Sequence, residues 1–111
     1  MANATSEGNY YKKAVVDTAP GASGYASTAV PESVVRGSDT HRLTFSVEEG
    51  EGDVTLQFKG AGRTTWTDES GSPYTTGDVK TIDAFTHNRE WRGICKNGDY
   101  SSGDLTFGIE W

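Results

Sequence analysis

Apolar and polar residues alternate with a period of two along three segments of the chain, 43–47, 54–59 and 105–111. This period, in segments rich in β-branched and aromatic residues, is typical of strands that bury one face. No stretch of ten residues carries the apolar face of a helix. The sequence predicts weaker strands at 64–67, 78–85 and 90–96.

Glycine, aspartate and serine clusters separate these segments and provide the turns between them. Six to eight short strands joined by short turns predict an all-β fold, an antiparallel β-sandwich of the Ig-like or jelly-roll-like kind, with a small barrel as the alternative. About 70 residues make a thin core for such a fold, because small domains bury only roughly 60% of their surface. We therefore expect another segment or a partner subunit to cover part of the sheet.

Residues 1–40 differ in character, since half of them are Ala, Gly, Ser or Thr and no apolar period persists. Proline and glycine interrupt any regular element there. We predict an extended N-terminal arm over 1–40 that becomes ordered on a neighbouring surface, and a β-sandwich domain over 41–111; the alternative is a disordered tail or leader. The arm's expected anchors are Tyr10, Tyr11, Val15, Val16 and Tyr25.

The last predicted strand ends in Ile109, Glu110 and Trp111. We expect it to lie at a sheet edge, where unpaired main-chain groups offer a template for a second strand. Ile109 and Trp111 are therefore predicted interface residues.

The composition is that of one domain: 111 residues, 33% hydrophobic, with 12 aromatic residues from 3 Trp, 5 Tyr and 4 Phe. A net charge of −6 argues against binding to nucleic acid or to an anionic membrane surface. No apolar run approaches the roughly 20 residues of a membrane span, and we expect no secretory signal. Cys95 is the single cysteine, so an intrachain disulfide is excluded.

Catalytic chemistry has few candidates in this sequence. His41 and His87 are the only histidines, and no metalloprotease, nucleophile-elbow, P-loop or dinucleotide motif occurs. Cys95 lies in a strand-like run and is expected to be a buried, inert thiol. We therefore expect no enzyme, no catalytic residues and no cofactor.

Two acidic, glycine-rich loops leave structural calcium open as an alternative, because Ca²⁺ takes six to eight oxygen ligands. Neither loop has EF-hand spacing, and acidic loops also keep sheet edges apart. We therefore expect no metal site. The acids concerned are Glu48, Glu49, Glu51, Asp53, Asp99 and Asp104.

Aromatic residues outside the strongest strands could form a stacking platform for a carbohydrate. Trp91 and Trp111 lie in predicted strands, where aromatic side chains fill the core. The remaining candidates for the platform are Trp66, Tyr74 and Tyr100.

Three segments, 52–59, 65–68 and 91–107, resemble small structural modules of tailed bacteriophages. In that family a Val-Thr-Leu-Gln stretch and a Trp-Thr-Asp stretch precede a hairpin of the form Lys-x-Gly-Asp-Tyr-x-Ser-Gly. The resemblance covers roughly 43–111 and implies a β-sandwich virion component; it carries no catalytic residue. From the residues themselves, we expect Gly98 and Gly103 to adopt positive φ in this hairpin.

Together these features favour a virion structural protein, a capsid decoration protein that binds the outer shell and stabilises contacts between capsomers. The alternatives are a carbohydrate-binding or host-adhesion module on a head or tail fibre, and a tail or neck component. The expected partners are the major capsid protein or other virion proteins and further copies of the chain, with a trimer expected from icosahedral symmetry. We expect synthesis in the host cytoplasm and a final place in the virion.

Overall fold

The computed structural model describes residues 3–83 and 88–111, which contain ten β-strands and one short helix. Their order is β1 (Asn3–Glu7), β2 (Tyr11–Val16), β3 (Tyr25–Ala26), β4 (Val30–Pro31), α1 (Glu32–Arg36), β5 (Leu43–Gly52), β6 (Thr55–Gly60), β7 (Thr67–Asp68), β8 (Val79–Ile82), β9 (Arg89–Cys95) and β10 (Tyr100–Glu110).

The strands form two antiparallel sheets that pack face to face. The first sheet has the order β1-β2-β10-β5-β8. The second has the order β3-β9-β6-β7, and β4 also pairs with β9. The predicted all-β antiparallel sandwich is confirmed.

The core lies between the sheets and is built from alternate residues of each long strand. In β10 these are Leu105, Phe107 and Ile109, all essentially buried, and β5 and β6 contribute in the same way. Since side chains alternate across a strand, the intervening residues form the outer faces of the two sheets.

Gly93 in β9 sets how closely the two sheets approach. A Cβ atom there would lie 2.7 Å from Cε1 of Phe45 and 2.8 Å from Cδ2 of Phe107, both on the first sheet. These phenylalanines therefore pack directly against the backbone of the second sheet, and a larger residue at this position would separate the sheets.

Residues 3–40 belong to the sandwich rather than to an arm. β1 and β2 form a hairpin whose second strand pairs with β10 along 11–16, and Ala14 and Val16 are fully buried. β3, β4 and α1 cover the second sheet's edge. The predicted domain boundary at residue 40 is therefore wrong. The sequence did not reveal β2 because this strand has only two inward side chains, Ala14 and Val16, which are too few to show a period of two.

The C-terminal strand β10 is the centre of the first sheet, not an edge. It pairs with β2 on one side and β5 on the other, and Ile109 is buried in the core. Trp111 is half-buried, and its N–H donates to the carbonyl of Tyr10 at 2.9 Å. The N-terminal hairpin therefore occupies the edge that was predicted to be free.

The predicted hairpin around Gly98 is instead a crossing between sheets, because β9 belongs to the second sheet and β10 to the first. The turn closes with a 3.0 Å hydrogen bond from Asp99 N–H to Lys96 carbonyl. Gly98 and Gly103 have φ of 90° and 72°, which confirms the predicted positive φ.

Two of the three weaker predicted strands are shorter in the structure. The strand predicted at 64–67 shares only Thr67 with the two-residue β7, whereas β9 has the length predicted for 90–96 and begins one residue earlier. The strand predicted at 78–85 appears as β8; its last two residues lie outside the described part of the chain.

Candidate functional site

The outer face of the first sheet, here the first outer face, is made of small and polar side chains. Cross-strand pairing aligns five residues, one from each strand, in a single row: Ser6, Lys13, Gly108, Ser46 and Val79. None of these five residues carries an aromatic ring, and Gly108 at the centre of the row has no side chain.

A shallow groove of about 260 Å³ crosses this face over Gly108. Tyr11 forms part of one wall, and an ion pair of 3.2 Å joins Lys13 Nζ to Glu48 Oε2. A Cβ on Gly108 would lie 2.6 Å from the carbonyl oxygen of Lys12. Any larger residue at this position of β10 would push β2 away, so glycine allows the two strands to pair closely.

Exposed apolar and aromatic side chains lie at the margins of this face. Tyr11 is 42% and Val79 62% exposed, and Tyr10, in the turn before β2, is 61% exposed. Val34, 45% exposed, is the fourth large exposed apolar side chain among the described residues, and it lies on α1 against the second sheet. Three of the four therefore lie on or beside the first sheet.

The outer face of the second sheet, here the second outer face, is closed by its own side chains. The Trp66 ring lies 4.2 Å from the guanidinium carbon of Arg92 and 5.1 Å from Nζ of Lys59. Both distances lie in the range of cation–π attraction. Because Arg92 and Lys59 lie on adjacent strands, the ring ties β6 to β9.

Hydrogen bonds extend this contact into a chain, here the Trp66 network of Gln57, Trp66, Asp68, Arg92 and Lys96. Arg92 Nε donates to Gln57 Oε1 at 3.0 Å, and Gln57 Nε2 donates to Asp68 Oδ1 at 2.9 Å. Lys96 Nζ donates to Asp68 Oδ2 at 2.6 Å. Both polar ends of Gln57 are thus satisfied, although this side chain is only 6% exposed.

Two groups of the Trp66 network have shifted pKa values. Burial lowers the pKa of Arg92, whose guanidinium stays charged at neutral pH because its ordinary pKa is so high. Asp68 has a lowered pKa because its carboxylate accepts a hydrogen bond from Gln57 and, next in size, one from Lys96.

The predicted aromatic platform is not assembled, because its three residues lie in different places. Trp66 lies in the network above. Tyr74 packs edge-on against Phe45 at 5.5 Å, and its hydroxyl donates to Glu69 at 2.6 Å. Burial and the Glu69 carboxylate raise the pKa of Tyr74.

Tyr100 begins β10, and its hydroxyl donates to the carbonyls of Gly103 at 2.7 Å and Asp17 at 3.2 Å. Its ring packs against the core. Trp66 therefore remains the single platform candidate that lies on an outer face.

The five predicted arm residues are divided between surface and core. Tyr10 and Tyr11 are exposed, Val15 is half-buried on the first outer face, and Val16 is fully buried. Tyr25 in β3 is half-buried and packs against the core. Of the predicted anchors, the two tyrosines of the hairpin are thus the ones available to a partner.

The acidic loops do not gather into a metal centre. Within residues 3–83 and 88–111, no group of three or more His, Cys, Asp or Glu side chains is placed to hold an ion. Glu48 is paired with Lys13, and Ser102 Oγ donates to Glu51 at 3.3 Å. His87 lies outside the described residues.

Cys95 is fully buried in β9, and its pKa is raised to about 11 by burial and then by the carboxylates of Asp99 and Asp53. The prediction of a buried thiol is confirmed. Because the thiolate is the reactive form, this thiol is unreactive at neutral pH in the folded protein.

Glu32 is a buried carboxylate that the sequence analysis missed. Its Oε2 accepts a 2.8 Å hydrogen bond from Nε1 of Trp91, and the residue is 2% exposed. Arg36, one turn later in α1, lies 4.0 Å from Oε1. The i, i+4 spacing of Glu32 and Arg36 was the one sequence signal for an ion pair here. The hydrogen bond between Glu32 and Trp91 connects α1 to β9.

The short helix α1, the one helix in the described residues, is not long enough to cross a membrane. Comparison with known proteins returned no match to this chain among protein-family models, curated proteins or solved structures.

Proposed function

We propose that this chain is a structural protein of a tailed-bacteriophage virion and acts as a capsid decoration protein. The observation that carries the proposal is the first outer face, a five-stranded surface with a shallow groove at its centre and exposed Tyr11 and Val79 at its margins. The sequence resemblance of roughly 43–111 to phage structural modules supplies the class of partner, the major capsid protein or another virion protein.

The chemistry of this face suits protein docking. Gly108 and Ser46 leave a shallow groove between longer side chains, where a side chain of a partner can reach the sheet. Tyrosine is enriched at protein interfaces because its ring is apolar and its hydroxyl polar. The ion pair of Lys13 and Glu48 lies at the groove and can exchange partners on docking. We therefore place the contact with the shell on this face.

A decoration protein acts by bridging. A sandwich seated across two capsomers adds contact area that must be lost before the capsomers separate, which opposes the outward pressure of packaged DNA. The net charge of −6 keeps free subunits apart by mutual repulsion until they meet the shell. This role needs binding surfaces and no catalytic group.

The test compares two exposed valines on opposite sides of the molecule. Val79→Lys places a charge on the first outer face, whereas Val34→Lys places the same charge on α1, beside the second sheet. Each purified variant is incubated with shells of the encoding phage that lack the protein, and bound protein is measured after sedimentation.

We expect wild-type protein and Val34→Lys to saturate the shells, and Val79→Lys to bind at least tenfold more weakly. Circular dichroism confirms that each variant is folded. Failure of the wild-type protein to sediment with shells would refute the decoration role, and equal binding of the two variants would refute the assignment of the face.

A host-adhesion module is the second candidate, and the position of Trp66 favours it. This half-buried ring lies on the second outer face among the amide of Gln57 and the charges of Asp68 and Arg92, and sugar sites combine such polar groups with an aromatic ring. Glycan-array binding by the wild type that Trp66→Ala abolishes would support adhesion. A blank array with folded protein would count against it.

A further inference from the structure

The ten basic side chains of this acidic chain differ in whether a carboxylate neutralises them. Within residues 3–83 and 88–111, six of them lie within 4.0 Å of an Asp or Glu oxygen. The other four are all arginines: Arg42, Arg63, Arg89 and Arg92. Arg92 belongs to the Trp66 network, where it donates to Gln57. Two of the remaining three, Arg63 and Arg89, line the same pocket.

This pocket is open, has a volume of about 460 Å³, and lies at the end of the second sheet where β6 meets β9. Three exposed threonines line it beside the two arginines: Thr64, Thr65 and Thr67. The volume lies in the range of small-molecule sites. The pocket therefore combines two positive charges with uncharged hydroxyl donors.

The backbone brings the two arginines together at Gly60. This glycine is the last residue of β6 and pairs with Arg89. The turn that follows closes with a 3.0 Å hydrogen bond from Arg63 N–H to the Gly60 carbonyl, and Gly62 has the positive φ of 77° that such a turn requires. Because a Cβ on Gly60 would lie 3.1 Å from Cγ of Arg63, the Arg63 side chain lies directly against this glycine.

No carboxylate lines this pocket. The sequence around it, 54–67 and 84–89, contains no Asp or Glu, although the chain has sixteen of them. Glu90 follows Arg89 directly, but its carboxylate lies 3.7 Å from Nζ of Lys59 on the second outer face. The pocket is therefore a positively charged region in a chain whose net charge is −6.

The packing of Arg89 leaves its hydrogen-bond donors available. Its guanidinium carbon lies 4.6 Å from the centroid of the Phe58 ring. The ring attracts the cation but accepts no strong hydrogen bond, so this contact holds the guanidinium in place without satisfying its five N–H donors. Arg89 is thus positioned for an anion before the anion binds.

We propose that this pocket binds a doubly charged oxyanion, a phosphate or sulfate group, between Arg63 and Arg89. Two guanidiniums match the charge of such a group, which is about −2 for phosphate at neutral pH. Arginine pairs with phosphate oxygens through two parallel N–H···O bonds, and the threonine hydroxyls supply further donors. A carboxylate has one charge and two oxygens, so it would leave part of this donor set unused.

The affinity must come from these short-range contacts, because a net charge of −6 draws no anion to the chain over long distances. This inference goes beyond the decoration role and does not depend on it.

The test is a titration of the full chain followed by two-dimensional amide NMR spectra at constant ionic strength, which measures affinity and locates the bound group. The ligands are sodium sulfate, sodium phosphate, glucose 1-phosphate and, as a singly charged control, sodium acetate. Arg63→Met and Arg89→Met each remove one charge and keep an apolar stem. Arg42→Met is the matched control, because Arg42 is exposed, has no carboxylate within 4.0 Å in the described residues, and does not line this pocket.

We expect sulfate and phosphate to shift the amide signals of 60–67 and of Arg89 in a saturable way. The dissociation constant should rise about tenfold in Arg63→Met and in Arg89→Met and stay unchanged in Arg42→Met. Tighter binding of glucose 1-phosphate than of inorganic phosphate would support a group carried by a larger molecule. Equal affinity would support the free ion.

A wild-type chain that shows no saturable shift with either sulfate or phosphate overturns the proposal. Acetate that binds as tightly as sulfate would contradict a site for a doubly charged group. Equal weakening by Arg42→Met would show that the anion responds to net charge rather than to this pocket. The spectra show whether each variant is folded, and shell binding is measured separately, so failure here leaves the decoration proposal standing.

Discussion

The two outer faces of this sandwich differ in what their side chains contact. On the second outer face, Gln57, Thr55 and Ile94 are between 4% and 6% exposed. On the first outer face, Gly108, Ser46 and Val79 remain partly or largely exposed. Thr106 on the first outer face is also buried, at 1% exposed, so the two faces differ in how far their remaining outward residues are covered by neighbouring side chains.

This difference indicates that the second outer face contributes mainly to stability, whereas the first outer face has side chains available for contacts with a partner. The Trp66 network satisfies the polar groups of the second outer face internally, so a ligand there must displace existing contacts. The first outer face has the Lys13–Glu48 ion pair at its groove and exposed Tyr11 and Val79 at its margins. Its residues are therefore free to contribute to an interface at low cost to the fold.

The largest expected loss of stability comes from the core between the two sheets, at Gly93. Gly93→Ala forces a methyl group against Phe45 and Phe107, and overpacking of this kind costs about 1–3 kcal/mol. Gly21→Ala is the control, since a Cβ at that glycine meets nothing within 4 Å. Urea unfolding followed by circular dichroism gives both values. Equal stability of the two variants would show that the sheets are not in close contact at Gly93.

The next prediction compares the stability lost when one basic residue is removed from each outer face. Arg92→Ala removes the donor to the buried Gln57 and the cation over Trp66, and we expect a loss of about 1–3 kcal/mol in the free energy of unfolding. Lys13→Ala removes one side of a surface ion pair, worth about 0–1 kcal/mol. Urea unfolding of the two variants side by side measures the difference. A smaller loss for Arg92→Ala than for Lys13→Ala would reverse the comparison.

The smallest effect is the pH dependence of the second face. The pKa of Asp68 is lower in the folded protein than in the unfolded chain, so its contribution to stability is present above about pH 4 and is lost as pH falls through the folded value. Because Asp68 is exposed, the effect is small. Thermal unfolding between pH 2 and 7 should decline less steeply for Asp68→Asn than for the wild type. Identical profiles would contradict a stabilising role for this carboxylate.

The sandwich itself could be predicted because a period of two records directly which residues face the core. Leu105, Phe107 and Ile109 alternate without interruption, and their inward positions followed from the sequence. The position of β10 at the centre of the sheet could not be predicted, because its neighbour β2 shows only Ala14 and Val16 as inward residues. Strand order depends on pairing over long distances, which a local pattern does not contain.

The candidate surfaces were harder to predict for a related reason. Tyr10 and Tyr11 were identified as contact residues on an arm, and they lie exposed on a hairpin of the first sheet. Trp66 was identified as a surface aromatic, yet its cationic partners lie on β6 and β9 and become neighbours only through strand pairing. Residue type was therefore enough to identify candidate contact residues, but their neighbours on the surface depend on strand pairing, which the sequence pattern does not show.

The most direct test of the account is a cryo-electron microscopy reconstruction of shells saturated with the protein, at a resolution that distinguishes the two sheets. We predict that the first outer face, with Tyr11 and Val79, contacts the shell and that the second outer face, with Trp66, points away from it. Contact through the second outer face, or shells that acquire no added density, would contradict the account.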